Sequence, residues 1–158
     1  GFPLVFQNNL QAQTGGFELN TDYQALNWWR LHAGYDLLQE NLWVKAGYTD
    51  FSHALNETAD PQNQVFARSS MDLPDNFELD ANFRWVDALI YNNGGNPGTI
   101  PSYAEMDVRL GWHATKEIEV SLAGQNLLHE QHIEYAISNP APQEQIARSV
   151  YGKLSCRF

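Results

Sequence analysis

Apolar and polar residues alternate along most of this chain. Phe17, Leu19, Thr21, Tyr23 and Ala25 oppose Glu18, Asn20, Asp22 and Gln24. After a tight turn near Leu26-Asn27-Trp28, Trp29, Leu31, Ala33, Tyr35 and Leu37 oppose Arg30, His32, Gly34 and Asp36. A period of two is the signature of a β-strand with one apolar and one polar face. The same alternation predicts strands over 65–73, 77–85, 104–112, 118–124 and 149–158. In the last, Val150, Gly152, Leu154, Cys156 and Phe158 share one face, against Ser149, Tyr151, Lys153, Ser155 and Arg157. Upstream, Leu4, Phe6, Leu10 and Ala12 occupy even positions, so the apolar parity switches at Gly15-Gly16. Such a switch at a glycine pair predicts a β-bulge.

The connections between these strands alternate in length. Short turns fall near residue 27, at Pro74-Asp75-Asn76, where Pro presets φ and Asp and Asn tolerate the corner, and at Ala114-Thr115-Lys116. Long loops are expected over 38–63, with strand extensions inside it, and over 87–102 and 126–145. Tight turns between neighbouring strands make antiparallel hairpins. Strict short–long alternation puts every tight turn at one end of the sheet and every large loop at the other, the layout of outer-membrane barrels. The last strand has about the 9–11 residues that a tilted strand needs to cross a bilayer.

Composition narrows the choice of solvent. No run of consecutive apolar residues exceeds four (Ala88-Leu89-Ile90-Tyr91), against about 20 for a membrane-spanning helix. A transmembrane barrel keeps a low mean hydropathy, here −0.45, because its apolar residues alternate with polar ones. The charge of −10 argues against nucleic-acid binding, which needs a basic footprint. The single cysteine, Cys156, rules out an intrachain disulfide and reads as a small hydrophobe. Large rings gather toward strand ends on the apolar face. Trp29, Phe77, Trp112 and Phe158 lie near the tight turns, and Tyr35 and Trp85 toward the long loops, as in the aromatic girdles of an apolar band ~25 Å tall. An aromatic-rich core of a soluble β-sandwich is the competing reading, but sandwich strands average nearer 5–6 residues. The opposite face carries Arg68, Asp80, Arg84, Asp107 and Arg109, expected to line a wet lumen. Pairs Arg84–Asp107 and Arg109–Asp80 lie within reach on neighbouring strands. Arginine at Val120 or Leu79 is expected to cost about 2–4 kcal/mol in a membrane, and much less at Ser121 or Asp80.

Three stretches carry a family resemblance: Gly16-Phe17-Glu18-Leu19 leading to Asn27-Trp28-Trp29-Arg30-Leu31; Gly124-Gln125-Asn126-Leu127-Leu128; and Arg148 to Leu154, ending in Arg157-Phe158. Together they resemble the C-terminal part of a TonB-dependent outer-membrane receptor, over nearly the whole chain. The resemblance implies an all-β, antiparallel up-and-down meander of about seven long strands. Residues 1–158 would be the C-terminal portion of one transmembrane β-barrel domain of about 22 strands. The N-terminal strands, the plug domain and the TonB-contacting segment would lie outside this chain. It further implies a monomer in the outer membrane of a Gram-negative bacterium, with membrane lipid, the missing strands and plug, TonB acting through that plug, and a small-molecule ligand as partners. Val150, Gly152, Leu154 and Phe158 resemble the terminal signal read by the β-barrel assembly machinery.

The function implied is energy-coupled uptake of a scarce nutrient: a metal–siderophore chelate, a corrinoid or a carbohydrate. No catalytic residue, resident metal or cofactor is expected. Trp43, Tyr48, Phe51, Tyr91 and Tyr135, the aromatics of the long loops, are the candidate ligand contacts. Trp29, Phe77, Trp85, Trp112 and Phe158 are the candidate lipid-facing girdle. His129-x-x-His132 with Glu130 and Glu134 has metal-ligand residue types, but the region reads as a solvated polar loop. No nucleophile elbow or fixed-order triad is visible. A passive porin and a soluble carbohydrate-binding β-sandwich are the alternative functions.

Overall fold

The computed structural model describes residues 8–50, 53–55, 59–93, 96–135 and 145–157. It is one antiparallel sheet of seven strands. They are β1 (Leu10–Leu26), β2 (Trp29–Val44), β3 (Asn63–Leu73), β4 (Phe77–Val86), β7 (Tyr103–His113), β8 (Ile118–Gln125) and β11 (Ser149–Cys156), hydrogen-bonded in that order. Two short ladders sit outside it: β5 (Leu89–Asn93) with β6 (Asn96–Ile100), and β9 (Gln131–His132) with β10 (Ile146–Ala147). Each main strand pairs with the one before it, so the sheet is a meander with β1 and β11 at its two edges.

The tight turns follow local chemistry. Pro74–Asn76 forms a single 3-10 turn, with Asp75 and Asn76 at φ 58° and 63°, the left-handed region that Asp and Asn tolerate best among residues with a Cβ. At the turn between β7 and β8, the Thr115 hydroxyl accepts the backbone N–H groups of Glu117 and Ile118, both at 3.1 Å.

Register carries the alternation from strand to strand. One row runs Trp29–Met71–Leu79–Leu110–Leu122–Gly152, another Leu73–Phe77–Trp112–Val120–Leu154, a third Leu31–Ser69–Ala81–Val108–Gly124–Val150. The next face over runs Asp22–His32–Arg68–Asn82–Asp107 and Arg30–Ser70–Asp80–Arg109–Ala123–Tyr151. A one-residue slip anywhere would carry charges into the apolar rows. No second layer packs on the apolar face among the described residues. Leu19 is 61% exposed and Leu154 66%, and the buried apolar residues among those described are Ala54, Ile100 and Ala123. A two-layer sandwich would bury that face.

Two expectations are corrected. The ladder between β1 and β2 runs from Leu10↔Val44 to Gln24↔Arg30 with no shift at Gly15-Gly16; the only irregularity falls between Gln24 and Leu26. The parity switch therefore marks a change of side. Above the glycines, Leu10, Ala12, Leu38 and Leu42 share the face that carries Glu18 and Asp22 below them, by strand alternation. Gly16 permits the close crossing there, since a Cβ would come 2.2 Å from the Leu37 carbonyl oxygen. Second, the loop over 87–102 contains the β5–β6 hairpin. The strand extension expected within 38–63 runs to Val44, because β2 keeps its ladder with β1 throughout. Leu4 and Phe6, and the strand-end position Phe158, lie outside the described residues.

Candidate functional site

The polar face is a network of charges. Arg109 reaches Glu78 at 3.1 Å and Asp80 at 3.2 Å, and also bonds Glu119. Asp80 accepts from the Ser70 hydroxyl at 2.7 Å and from Arg68 at 3.4 Å. Arg30 grips Asp72 with two bonds, 2.5 and 2.8 Å. His113 stands 2.9 Å from Glu78. One of the two pairs suggested by the alternation, Arg109–Asp80, is present. In place of an Arg84–Asp107 pair, Arg84 bonds Glu134 and donates to the Asn126 side chain at 3.2 Å. Asp107 instead accepts the Asn126 backbone N–H at 2.9 Å.

That difference arises because β8 leaves the ladder early. Its pairing with β7 ends at Val108↔Gly124, so the Tyr103–Asp107 half of β7 has no β8 partner. Asn126 adopts φ 55°, and the chain folds back over the polar face as a strap. The N–H groups of Asn126, Leu127 and Leu128 are accepted by the Asp107 carboxylate, the Met106 carbonyl at 3.0 Å and the Glu105 carboxylate at 3.1 Å. Glu105 is 1% exposed, and His129 Nδ1–H donates to it at 2.7 Å. The His132 ring lies against Tyr103, centroids 4.9 Å apart, and its Nε2–H donates to Glu134 at 2.6 Å. Arg84 stands 5.5 Å over the Tyr103 ring.

The expectation of a solvated polar loop is thus corrected at His132, which is buried, because unpaired N–H groups seek the acceptors that β7 offers. Burial pushes the Glu134 carboxyl up, but the hydrogen bonds from Arg84 and His132 outweigh it and hold the group below the usual carboxylate range. Among the described residues, no group of three or more His, Cys, Asp or Glu side chains has a metal-binding arrangement. Glu105 shares its strand face with Asp107 and Arg109 by alternation, and nothing local signals its burial.

The loop aromatics do not converge. Trp43 lines a cleft of about 760 Å³ at the loop end, between the outer part of β2, residues 53–55, Asp60, Gln62 and β5–β6. Tyr48 sits in the turn after β2, its N–H on the Lys45 carbonyl at 3.1 Å. The Tyr91 ring covers Gly98 across the β5–β6 ladder, where a Cβ would meet it at 2.6 Å. Tyr135 is 71% exposed, and Phe51 lies outside the described residues. The cleft also holds Glu40, Leu42, Asp60, Asp87 and Leu89, which no local pattern had singled out.

The apolar face carries Trp29, Phe77, Trp85 and Trp112. Phe77 stacks on Trp112 with centroids 5.9 Å apart, and Trp28 on Trp29 at 6.2 Å. Trp29 Nε1–H donates to the Ser69 hydroxyl at 2.8 Å, and Tyr35 O–H to the Asn63 side chain at 2.6 Å. Val150, Gly152 and Leu154 line β11, whose outer edge is free of sheet partners among the described residues.

The sheet is thus a single-layer meander with one apolar face, one ion-paired face and all its long connections at one end. No protein-family model matches the chain. Solved structures share its fold: the siderophore receptor PiuA from Acinetobacter baumannii (21% identity, TM-score 0.74, 93% of this chain and 22% of that one) and the ferric yersiniabactin uptake receptor FyuA from Yersinia pestis (18%, 0.78, 96% and 24%). The ferripyoverdine receptor of the outer membrane of Pseudomonas aeruginosa is a third (17%, 0.69, 94% and 20%). The chain spans less than a quarter of the length of each of these receptors.

Proposed function

We propose that this chain forms part of the barrel wall of a TonB-dependent outer-membrane receptor that imports a scarce nutrient, in the class of metal–siderophore chelates. The observation that carries the reading is the register. Apolar rows continue across five and six neighbouring strands, exposed rather than covered, while the opposite face is crossed by ion pairs. A water-facing sheet has no reason to expose Leu19, Val120, Leu122, Val150 and Leu154 on one side; acyl chains supply the reason. The fold shared with siderophore receptors supports the same reading.

In this reading Trp29, Phe77, Trp85, Trp112 and Phe158 sit at the lipid interfaces, and Arg68, Asp80, Arg84, Asp107 and Arg109 face the lumen and the plug. The edges β1 and β11 pair with the barrel strands outside this chain, because an open edge in hydrocarbon leaves N–H and C=O groups unsatisfied. The assembly machinery reads the β11 face. Ligand entering from the loop end meets Trp43, with Tyr48, Phe51, Tyr91 and Tyr135 as separate candidate contacts along the long loops, and energy delivered through TonB rearranges the plug. No bond is made or broken, so the protein acts as a transporter and carries no catalytic group.

Growth of a strain lacking the gene tests this. With ferric siderophores as sole iron source, the deletion should abolish growth on at least one chelate, and loss of TonB should reproduce the defect. Unimpaired growth on every chelate, or uptake that persists without TonB, would overturn the proposal.

A further inference from the structure

The strap encloses a ring that has a carboxylate at each nitrogen. His132 is buried, with 7% of its side chain exposed. Its Nε2 meets the Glu134 carboxylate at 2.6 Å. Its Nδ1 makes no hydrogen bond and stands 3.1 Å from the Glu105 carboxylate. A neutral imidazole has one N–H and one lone pair. With its hydrogen on Nε2, a lone pair faces Glu105; with its hydrogen on Nδ1, a lone pair faces Glu134. Either tautomer leaves a polar atom unmet in a buried place, which is costly. Charge points the same way. The Glu105 side chain is fully enclosed, so any counter-charge comes from the residues around it. Among the described residues, its ion-pair partners are His129 and His132 alone. Arg84 of β4 is engaged by Glu134 and Asn126. On β7, Tyr103 stacks on the ring and Asp107 accepts the Asn126 N–H. Glu130 of the strap faces Arg148 at 3.8 Å, and β10, paired to His132 through Ile146, brings no titratable group.

We propose that the strap is a proton-held latch, in which the His132 ring carries hydrogen on both nitrogens and joins Glu134 to Glu105. One positive charge then lies between two carboxylates, and hydrogen bonds between charged groups away from water are the strong ones. When the strap lifts, the ring and the carboxylates meet water instead of one another, so the lifted strap gives up the proton more readily. Stability from such a group is present at lower pH and is lost as pH rises. The latch is therefore down in neutral medium and loosens as the medium turns alkaline. Lifting uncovers the Tyr103–Asp107 half of β7, which has no β8 partner. His129 needs no second proton: its ring is half exposed, and one N–H satisfies its bond to Glu105. The latch goes beyond nutrient uptake, and it holds whatever the barrel transports.

Hydrogen exchange of the intact protein in detergent, followed from about pH 6 to about pH 9 and corrected for the intrinsic rate, tests this. Glu134 stays ionised in that window, because its carboxyl is held below its ordinary range. Protection across the strap should fall by at least about tenfold, the effect of one linked proton over one pH unit, while β1 and β2 keep theirs. Glu105→Gln removes the need for the proton. Its amide has two hydrogens, one for each facing Nδ1, and an oxygen for the Leu128 N–H, so the strap stays down on neutral rings. Protection in E105Q should no longer vary with pH. His129→Asn keeps a donor to Glu105 and should keep the full pH dependence. Flat protection in the unaltered protein, a slope that persists in E105Q, a strap unprotected at every pH in E105Q, or a slope lost in H129N would each overturn the proposal. A second measurement needs no variant to fold. In protein carrying isotope-labelled histidine, both ring nitrogens of His132 should show the resonance of an N–H at neutral pH, and a lone-pair resonance from either would overturn the proposal.

Discussion

Arginine in place of Val108 tests the lipid-facing assignment most directly. Val108 sits mid-strand in β7, four residues from Trp112 and four from Ala104, and pairs with Ala81, itself midway between Phe77 and Trp85. Those two rings are eight residues apart, about 27 Å along the strand. With a strand tilt of roughly 40°, they stand about 21 Å apart in height. Val108 is then about 10 Å from either interface, too far for an arginine to carry its charge fully into the headgroups. Its cross-strand neighbours, Ala81 and Gly124, offer no counter-charge. The cost should be about 2–4 kcal/mol, a roughly 30- to 1,000-fold fall in the folded-to-unfolded ratio. Asn82→Arg is the matched control. It lies on the opposite face beside Arg68 and Asp107, where repulsion by one offsets attraction by the other, and should cost less than about 1 kcal/mol. Asp80 and Ser121 serve poorly as controls: Asp80 holds Ser70, Arg68 and Arg109, and Ser121 is buried. Urea unfolding of the intact protein in phospholipid vesicles, followed by tryptophan fluorescence, gives both values. Equal destabilisation on the two faces would refute the assignment.

Three further outcomes are expected. Glu105→Ala removes the acceptor of Leu128 N–H and His129, which should cost about 1–3 kcal/mol for each group left unsatisfied; hydrogen exchange should quicken across 126–132 and stay unchanged in β1–β2, and unchanged protection of the strap would contradict its anchoring. Gly34→Ala places a Cβ 2.1 Å from the Phe66 ring. It should destabilise by about 1–3 kcal/mol, with part of the loss recovered in a Phe66→Ala background; strict additivity of the two changes would exclude the clash. Because the Glu134 carboxyl is held below its ordinary range, its contribution to strap stability is full above that range and disappears as pH falls through the lowered value. Proteolysis of the strap should therefore accelerate in acid, and Glu134→Gln should flatten that part of the profile; an identical acid response in the variant would exclude Glu134 as its source.

Much of this protein is legible residue by residue, because the faces of a strand depend only on parity along one backbone. Phe77 to Trp85 and Ala104 to Trp112 announce both their conformation and their apolar side without any knowledge of neighbours, and Pro74-Asp75-Asn76 announces its turn. Pairing between strands is not local, and there the tertiary structure decided. It set Asp80 against Arg109, and it gave Arg84 to Glu134 and Asp107 to the Asn126 N–H, because β8 stops short and leaves β7 with acceptors to fill. It turned the glycine-pair parity switch from a bulge into a change of side, since the ladder to β2 never slips. The cleft around Glu40, Trp43 and Asp60 had no precursor in any single stretch: its walls come from segments some 50 residues apart, brought together only when the sheet forms.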